Sequence, residues 1–529
     1  MKTAPHLSKQ GEATQLMVDG HPFLMLGGEL RNSSASSLAV LESALARVAA
    51  LNANTVLAPI YWELLEPVEG QFDFELVDGL LDVVRLRGLK LVPLWFGTMK
   101  NATSCYVPEW VKRDGQRFPR AHTVPGRPSG TLSCLGAEAV QADARAFAAL
   151  MRHIREVDTE HTVIMVQVQN EPGLLGAARD LSPLAEAAFA GPVPRELTDY
   201  LHAHRDLLIP EFAQLWKAAG ETRVGSWAQV FGAAADEVFM AWQVARFVET
   251  VAAAGRAEYD LPMFANAWLV HGPGYAPGMY PSGGPVSKMM DVWRAAAPHI
   301  AVLAPDIYDA DFRSMCVDYA RPGNPLFIPE ARNFPAAASN ALYVLGQHAA
   351  LGFSPFAIDD VPEGHLLAAT YAMLREALPV IADAQARGAI CGFVQQADSE
   401  QWEVDLGGYR IRARTNTKLD AEAPASALVM ALGGDEFVAI GRRLNLTFES
   451  DVPTEILFLE TGRFDSGRWI PGRRLNGDET YHATAARLGH ALEAVRFKLH
   501  HLVEIQSGRA GTPLPAEDGG GAPSLPKAC

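Results

Sequence analysis

Cysteine is scarce in this 529-residue chain, and its five copies (Cys105, Cys134, Cys316, Cys391 and Cys529) are scattered and odd in number. No CxxC pair and no Cys/His cluster occurs, so the sequence offers no structural zinc and implies no cofactor or metal. Cys105 and Cys134 fall in one loop region and either pair or stay free, the state a reducing cytosol favours. Histidines such as His122, His271 and His365 show no metal-ligand spacing. Nowhere does an apolar run approach the ~20 residues of a membrane span. Met1 to Gln15 is polar and lacks a signal peptide's apolar stretch, which predicts a cytoplasmic protein, or a periplasmic one where a leader has been removed. Basic residues are outnumbered 61 to 45, a formal charge of −16. Such a surface repels phosphate backbones and anionic lipid, which argues against nucleic acid and membrane as partners and suits a neutral substrate. Homo-oligomer formation stays open. Neither a GxGxxG nor a Walker-type loop follows the first apolar strand, which disfavours a nucleotide-binding open sheet.

What is present is a repeating alternation of apolar strands and amphipathic helices. Leu16-Met17-Val18 and His21-Pro22-Phe23, joined by Asp19-Gly20, read as a hairpin whose second half runs on through Met25-Leu26 to Glu29 and Arg31. A helix follows with Leu38, Leu41, Leu45 and Val48 on one stripe, capped by Ser36 or Ser37. Apolar strands recur at 55–61, 89–96, 163–168, 263–268, 300–306, 326–330 and 353–358, separated by helical patterns. Gly88 is placed to end the helix marked by Val77, Leu80, Leu81 and Val84, and a final helix spans 365–386. Eight such units predict an α/β protein, a closed (β/α)₈ TIM barrel; an open doubly wound sheet is the alternative.

After residue 388 the texture changes to period-2 alternation with glycine turns, as in Leu428 to Ala431, Gly433-Gly434 and Phe437 to Ile440. This predicts three parts: a catalytic barrel with its N-terminal hairpin (1–388), an antiparallel β-sandwich-like domain (389–506) and a flexible tail (507–529) rich in Gly, Pro and Ala.

In a barrel the βα loops at the strand C-termini build the active site. Two acids close apolar strands there: Glu171 after the fourth and Glu330 after the seventh. A single glutamate is more often a solvated rim residue, but two at such positions suit glycosidic cleavage, where one protonates the leaving oxygen and the other attacks C1. Asn170 precedes the first and could bond a sugar 2-hydroxyl. Aromatics near strand ends (Tyr61, Trp62, Trp95, Trp268, Tyr308 and Phe356) are either core or stacking surfaces for sugar faces. Glu63 and Asp359 either bind hydroxyls or pair with arginine.

These residues resemble a known clan. Asn170-Glu171 and Glu330 look like the clan A glycoside hydrolases, and Tyr61-Trp62-Glu63-Leu64-Leu65-Glu66-Pro67 with Gly70 and Phe72-Asp73-Phe74 resembles β-galactosidases of glycoside hydrolase families 35 and 42. The start, Val18-Asp19-Gly20-His21-Pro22-Phe23 and Gly27-Gly28-Glu29-Leu30-Arg31, is similar to that of family 35. The resemblance implies Glu171 as acid/base, Glu330 as nucleophile, Tyr308 as its hydrogen-bond partner, Trp268 as a platform wall and Arg31 as a cation beside the nucleophile. A structural salt bridge from Arg31 to Glu29 or Glu63 is the alternative. It also implies a retaining hydrolase of terminal β-D-galactosides, with carbohydrate as the partner molecule and plant cell-wall fragments such as xyloglucan among its substrates.

Two departures concern the sugar. Asn170-Glu171 continues as Pro172-Gly173 where family 35 has Tyr-Gly, and Leu94 to Thr98 lacks the acid that would help read galactose. Rival readings are a retaining hydrolase of another β-glycoside (glucoside, fucoside or arabinoside), a barrel that binds carbohydrate without turnover, and a scaffold whose β domain binds partners.

Overall fold

The computed structural model describes residues 3–502 apart from 273, 310, 397–400, 416 and 421; the sequence-predicted tail at 507–529 lies outside the described residues. Asp19 and Gly20 both take positive φ (52° and 83°), giving the two-residue turn that matches strand twist. The resulting hairpin, Ala13–Val18 with His21–Phe23, gains a third antiparallel strand at His6–Gln10.

Eight parallel strands then form the barrel: β1 (Met25–Leu26), β2 (Thr55–Tyr61), β3 (Lys90–Lys100), β4 (Val166–Asn170), β5 (Met263–Trp268), β6 (Val302–Ile307), β7 (Glu330–Ala331) and β8 (Gly352–Phe353). Strands β2 to β7 make one parallel sheet, while β1 pairs with β8. The two pieces join through parallel bridges Glu29–Leu57 and Ile328–Phe353, so the sheet closes on itself and has no open edge. An open sheet is thereby excluded.

The helices α1 (Leu38–Ala50), α2 (Glu75–Leu86), α3 (Ala137–Val157), α4 (Ala235–Glu258), α5 (Met290–Ala296), α6 (Phe312–Tyr319), α7 (Ala337–Gln347) and α8 (Leu366–Ala386) follow the strands in turn. Ser37 caps α1 by accepting from the Val40 amide, and Gly88, at φ 65°, follows the end of α2. Two connections carry more structure than their sequence patterns predicted. The β3–α3 loop folds back as a hairpin, Arg120–Val124 with Arg127–Leu132, turning at Gly126. The stretch before α4 breaks into short helices at Arg195–Ala203, Pro210–Ala218 and Trp227–Phe231.

Beyond α8, a six-stranded and a four-stranded antiparallel sheet enclose their own core, with Tyr409, Phe437, Phe448 and Phe497 in ring contact. Their union with the barrel is close. A Cβ on Gly346 of α7 would lie 2.5 Å from the Cys391 carbonyl oxygen, and one on Gly392 would lie 2.5 Å from that of Tyr343. Only glycine admits this approach of helix to strand. Ser339 and Ser426 hydrogen-bond across the same seam (2.9 Å). Cys105, Cys134, Cys316 and Cys391 are free thiols.

Candidate active site

The C-terminal rim gathers acids from four strands. Glu171 follows β4, Glu330 lies in β7, Asp306 in β6, and Glu29 one turn of chain beyond β1; all four are buried. Glu171, Asp306 and Glu330 each contribute a carboxylate oxygen to a group lying within 4.8 Å of one another. Thus residues from strands four and seven, far apart in sequence, share one pocket floor. That trio could also hold a cation by spacing alone.

Backbone strain marks the β4 end. Gln169 (φ 64°) and Glu171 (φ 44°) both adopt the left-handed region without being glycine, on either side of Asn170. Such conformations persist where the surroundings over-determine them, and they cluster at working sites. Here the surroundings are visible. The Glu171 amide donates to Asn266 Oδ1 (2.9 Å), and Asn266 Nδ2 donates to Asp306 Oδ2 (2.7 Å). From the β3 loop, Ala102 donates its amide to the Glu171 carbonyl, and Asn101 Nδ2 donates to Glu171 Oε2.

Charge is unevenly met. Burial raises the Glu171 acid, the negative charge of Glu330 raises it further, and it is pushed up to about 7 despite Lys100, Asn101 and Asp306. Burial also raises Glu330, but the Lys100 ammonium and the hydrogen bond from Tyr308 oppose it. Asp306 and Glu29 are held well above the usual carboxylate range, first by burial and next by Glu330. Burial raises both acids, but Glu171 also feels the charge of Glu330 while Tyr308 donates to Glu330 alone, an asymmetry of the kind that acid/base and nucleophile require.

The cation beside Glu330 is Lys100, not Arg31. Arg31 is half-exposed and pairs with Asp359 (3.2 Å) and Asp360 (3.0 Å); neither sequence-level alternative, a place beside Glu330 or a bridge to Glu29 or Glu63, describes it. Lys100 closes the eleven-residue β3, where its ammonium sits 5.0 Å above the Phe96 ring. Its side chain is buried, so the charge acts through a poorly screening medium.

The aromatic candidates divide. Tyr308 donates its hydroxyl to Glu330 Oε1, and its carbonyl accepts from Arg332. Trp268, at the tip of β5, and Phe356, whose amide donates to the Ala331 carbonyl (2.8 Å), are both only partly buried and stay at the rim. Trp95 does not. It is fully buried, its indole donates to Asp143 Oδ1 (2.7 Å), and its ring meets Phe147 of α3. Strand alternation turns it to the helix layer, so it is no sugar platform. Tyr61 is likewise packed by Phe96 and Tyr106, with its hydroxyl accepting from the Ala35 amide. Glu63 pairs with Lys112 at the surface (2.9 Å).

Four contributors escaped the sequence reading: Lys100, Asn101, Asn266 and Asp306. Asp306 ends an apolar strand just as Glu171 and Glu330 do, and that signal was available. Lys100 and Asn101 gave none, because β3 runs four residues past its apolar pattern.

Residues 37–231 match the glycoside hydrolase 42 family, described as Beta-galactosidase, and residues 367–487 match a domain of unknown function, DUF5597. No curated protein matches the chain. Among solved structures it is similar to a cold-adapted β-galactosidase from Rahnella sp. R3 (16% identity over 68% of this chain and 57% of that one, TM-score 0.47). It is also similar to the catalytic domain of β-amylase from Paenibacillus polymyxa (13%, 66% and 98%, TM-score 0.43). A third is the exo-β-1,4-mannosidase Op5Man5 from Opitutaceae bacterium strain TAV5 (13%, 71% and 63%, TM-score 0.41). This chain therefore spans less than two thirds of the Rahnella and Opitutaceae proteins. Its barrel carries a glycoside hydrolase segment, and the chain resembles the clan A glycoside hydrolases of the family 42 kind.

Proposed function

We propose that this protein is a retaining β-glycosidase that removes terminal β-D-galactosyl residues from oligosaccharides, plant cell-wall fragments among them. The observation that carries the reading is the approach of one Glu171 oxygen and one Glu330 oxygen to within 4.8 Å, on the short side that suits a double displacement. Glu330 attacks C1 while Glu171 gives its proton to the departing glycosidic oxygen, leaving a galactosyl ester on Glu330. Glu171, now ionised, takes a proton from water as that water attacks C1, and Glu330 leaves as carboxylate. Asn170, whose buried amide atoms find no partner among the described residues, accounts for the 2-hydroxyl contact that strengthens in the transition state.

A panel of nitrophenyl β-glycosides tests this, with proton NMR of the first-formed sugar. Hydrolysis of the galactoside with the β anomer appearing first is the expected result. Preference for a glucoside, fucoside or arabinoside would replace the sugar, the α anomer first would replace the mechanism, and binding without turnover would replace both.

A further inference from the structure

Glu29 is the least explained side chain near the pair. Its backbone is fixed on both sides: the amide donates to the Pro355 carbonyl (2.9 Å) and the carbonyl accepts from Ile358 (3.0 Å). Ahead of it, Gly27 and Gly28 lie so close to Ser354 and Ile358 that an added Cβ would come within 2.2 Å and 2.4 Å of their side chains. The strand end is thus held rigidly, and the side chain it presents is wholly buried. Yet neither Glu29 oxygen has a hydrogen-bond or ion-pair partner among the described residues. The backbone of Glu29 bridges to Leu57 and Phe356 at the strand ends, and the charges that act on its side chain are, in order, Glu330, Lys100 and Glu171, so it lies within electrostatic reach of the pair.

Buried carboxyl groups are rarely left unsatisfied, because stranding one costs more than a neutral hydrogen bond returns. Glu29 does not stand alone in this. Asn170 Nδ2 and Oδ1, Glu330 Oε2 and Asp306 Oδ1 are also buried and unpartnered. Six polar atoms at the ends of strands one, four, six and seven are therefore buried on one rim of the barrel with their bonding capacity unused. A ring bearing hydroxyls around its edge is the chemistry that answers such a set. Glu330 Oε2 is the atom left for attack, and Asn170 answers the 2-hydroxyl. That leaves the two Glu29 oxygens for the rest of the ring.

We infer that Glu29 is a sugar-reading residue, its carboxyl group bonding a glycone hydroxyl other than the 2-hydroxyl and so setting which hexose the enzyme accepts. This rests on the glycosidase reading above. It also supplies, from strand one, the acid that strand three lacks. Burial, and after it the charge of Glu330, raises the proton affinity of Glu29; a protonated carboxyl donates from one oxygen and accepts at the other, matching a hydroxyl that does both.

The test compares wild type, Glu29→Leu and Glu29→Gln on nitrophenyl β-galactoside and its 3-, 4- and 6-deoxy analogues. Leucine has similar bulk and strands no polar atom, so this variant should melt no lower than wild type. On the parent sugar kcat/KM should fall about 10- to 100-fold, the loss expected for a buried hydrogen bond to a charged or strongly polar group. On one deoxy analogue, already poor for wild type, the variant should lose less than about 3-fold, because the bond is absent in both. Equal losses on every sugar, unchanged kinetics throughout, or failure of both variants to fold would each overturn the assignment. A wild type that prefers another glycoside moves the comparison to that sugar's deoxy set, and there removes only the galactose reading. A wild type inert on every glycoside removes the proposed function and the Glu29 assignment together.

Discussion

Tyr308 donates its hydroxyl to one oxygen of Glu330, while the other oxygen of Glu330 is buried without a partner. The two atoms of one carboxylate are thereby made unequal. One is anchored by the loop after β6, and the second is left unpartnered, the atom that attacks in the proposed mechanism.

Removing that anchor should weaken the nucleophile in a readable way. The hydrogen bond favours the ionised form, so Tyr308→Phe should raise the Glu330 proton affinity and move the acid limb of the kcat/KM profile to higher pH. At the optimum a loss of about 10- to 1000-fold is expected, the range for one well-placed active-site donor. A profile superimposable on wild type would show that the bond is incidental.

Glu171 predicts both a pH profile and a stability profile. As the acid it must be protonated, so activity should fall on the basic side with a limb near its value of about 7. Glu171→Ala should lose orders of magnitude and recover with azide on an activated substrate. For stability the sign is fixed by the upward shift. The folded state binds this proton more tightly than the unfolded chain, so its contribution is complete below the ordinary Glu range and is lost as pH rises through about 7. Glu171→Gln should therefore gain on wild type by about 3 kcal/mol between pH 4 and pH 8, measured by chemical denaturation. A difference independent of pH would contradict the shift.

Trp95→Phe separates packing from binding. The substitution takes from buried Asp143 one of its donors, leaving the Thr98 amide and Gln169 in place. Stability should drop by about 1–3 kcal/mol while KM for a simple aryl glycoside stays within about twofold. A large rise in KM with unchanged stability would return Trp95 to the sugar site.

The barrel and the meeting of Glu171 with Glu330 were legible because both rest on local pattern. Buried parallel strands are continuous apolar runs, and Glu171 and Glu330 each interrupt such a run at its end. The β domain was legible for the same reason, through its two-residue alternation, although its hairpin turns one residue later than the sequence suggested, at Gly434-Asp435, with Gly433 still in the strand. What escaped depends on which face a strand residue takes. Trp95 and Lys100 lie on the same strand, yet one serves the helix layer and the other the pocket. They lie five residues apart, so alternation already sets them on opposite faces; what the sequence did not show is that β3 runs past Phe96 to Lys100, with a break in its register against β4 on the way. Arg31 was misplaced because Asp359 and Asp360, its partners, come from the other end of the barrel and meet it only when β8 closes on β1.

Glu330 as nucleophile is tested most directly by trapping the enzyme with an activated 2-deoxy-2-fluoro-β-galactoside and sequencing the labelled peptide by mass spectrometry. The sugar should be found on Glu330, and Glu330→Gln should take no label. A label on Glu171, on Asp306 or on any other residue, or none from a substrate the enzyme turns over, would contradict the account.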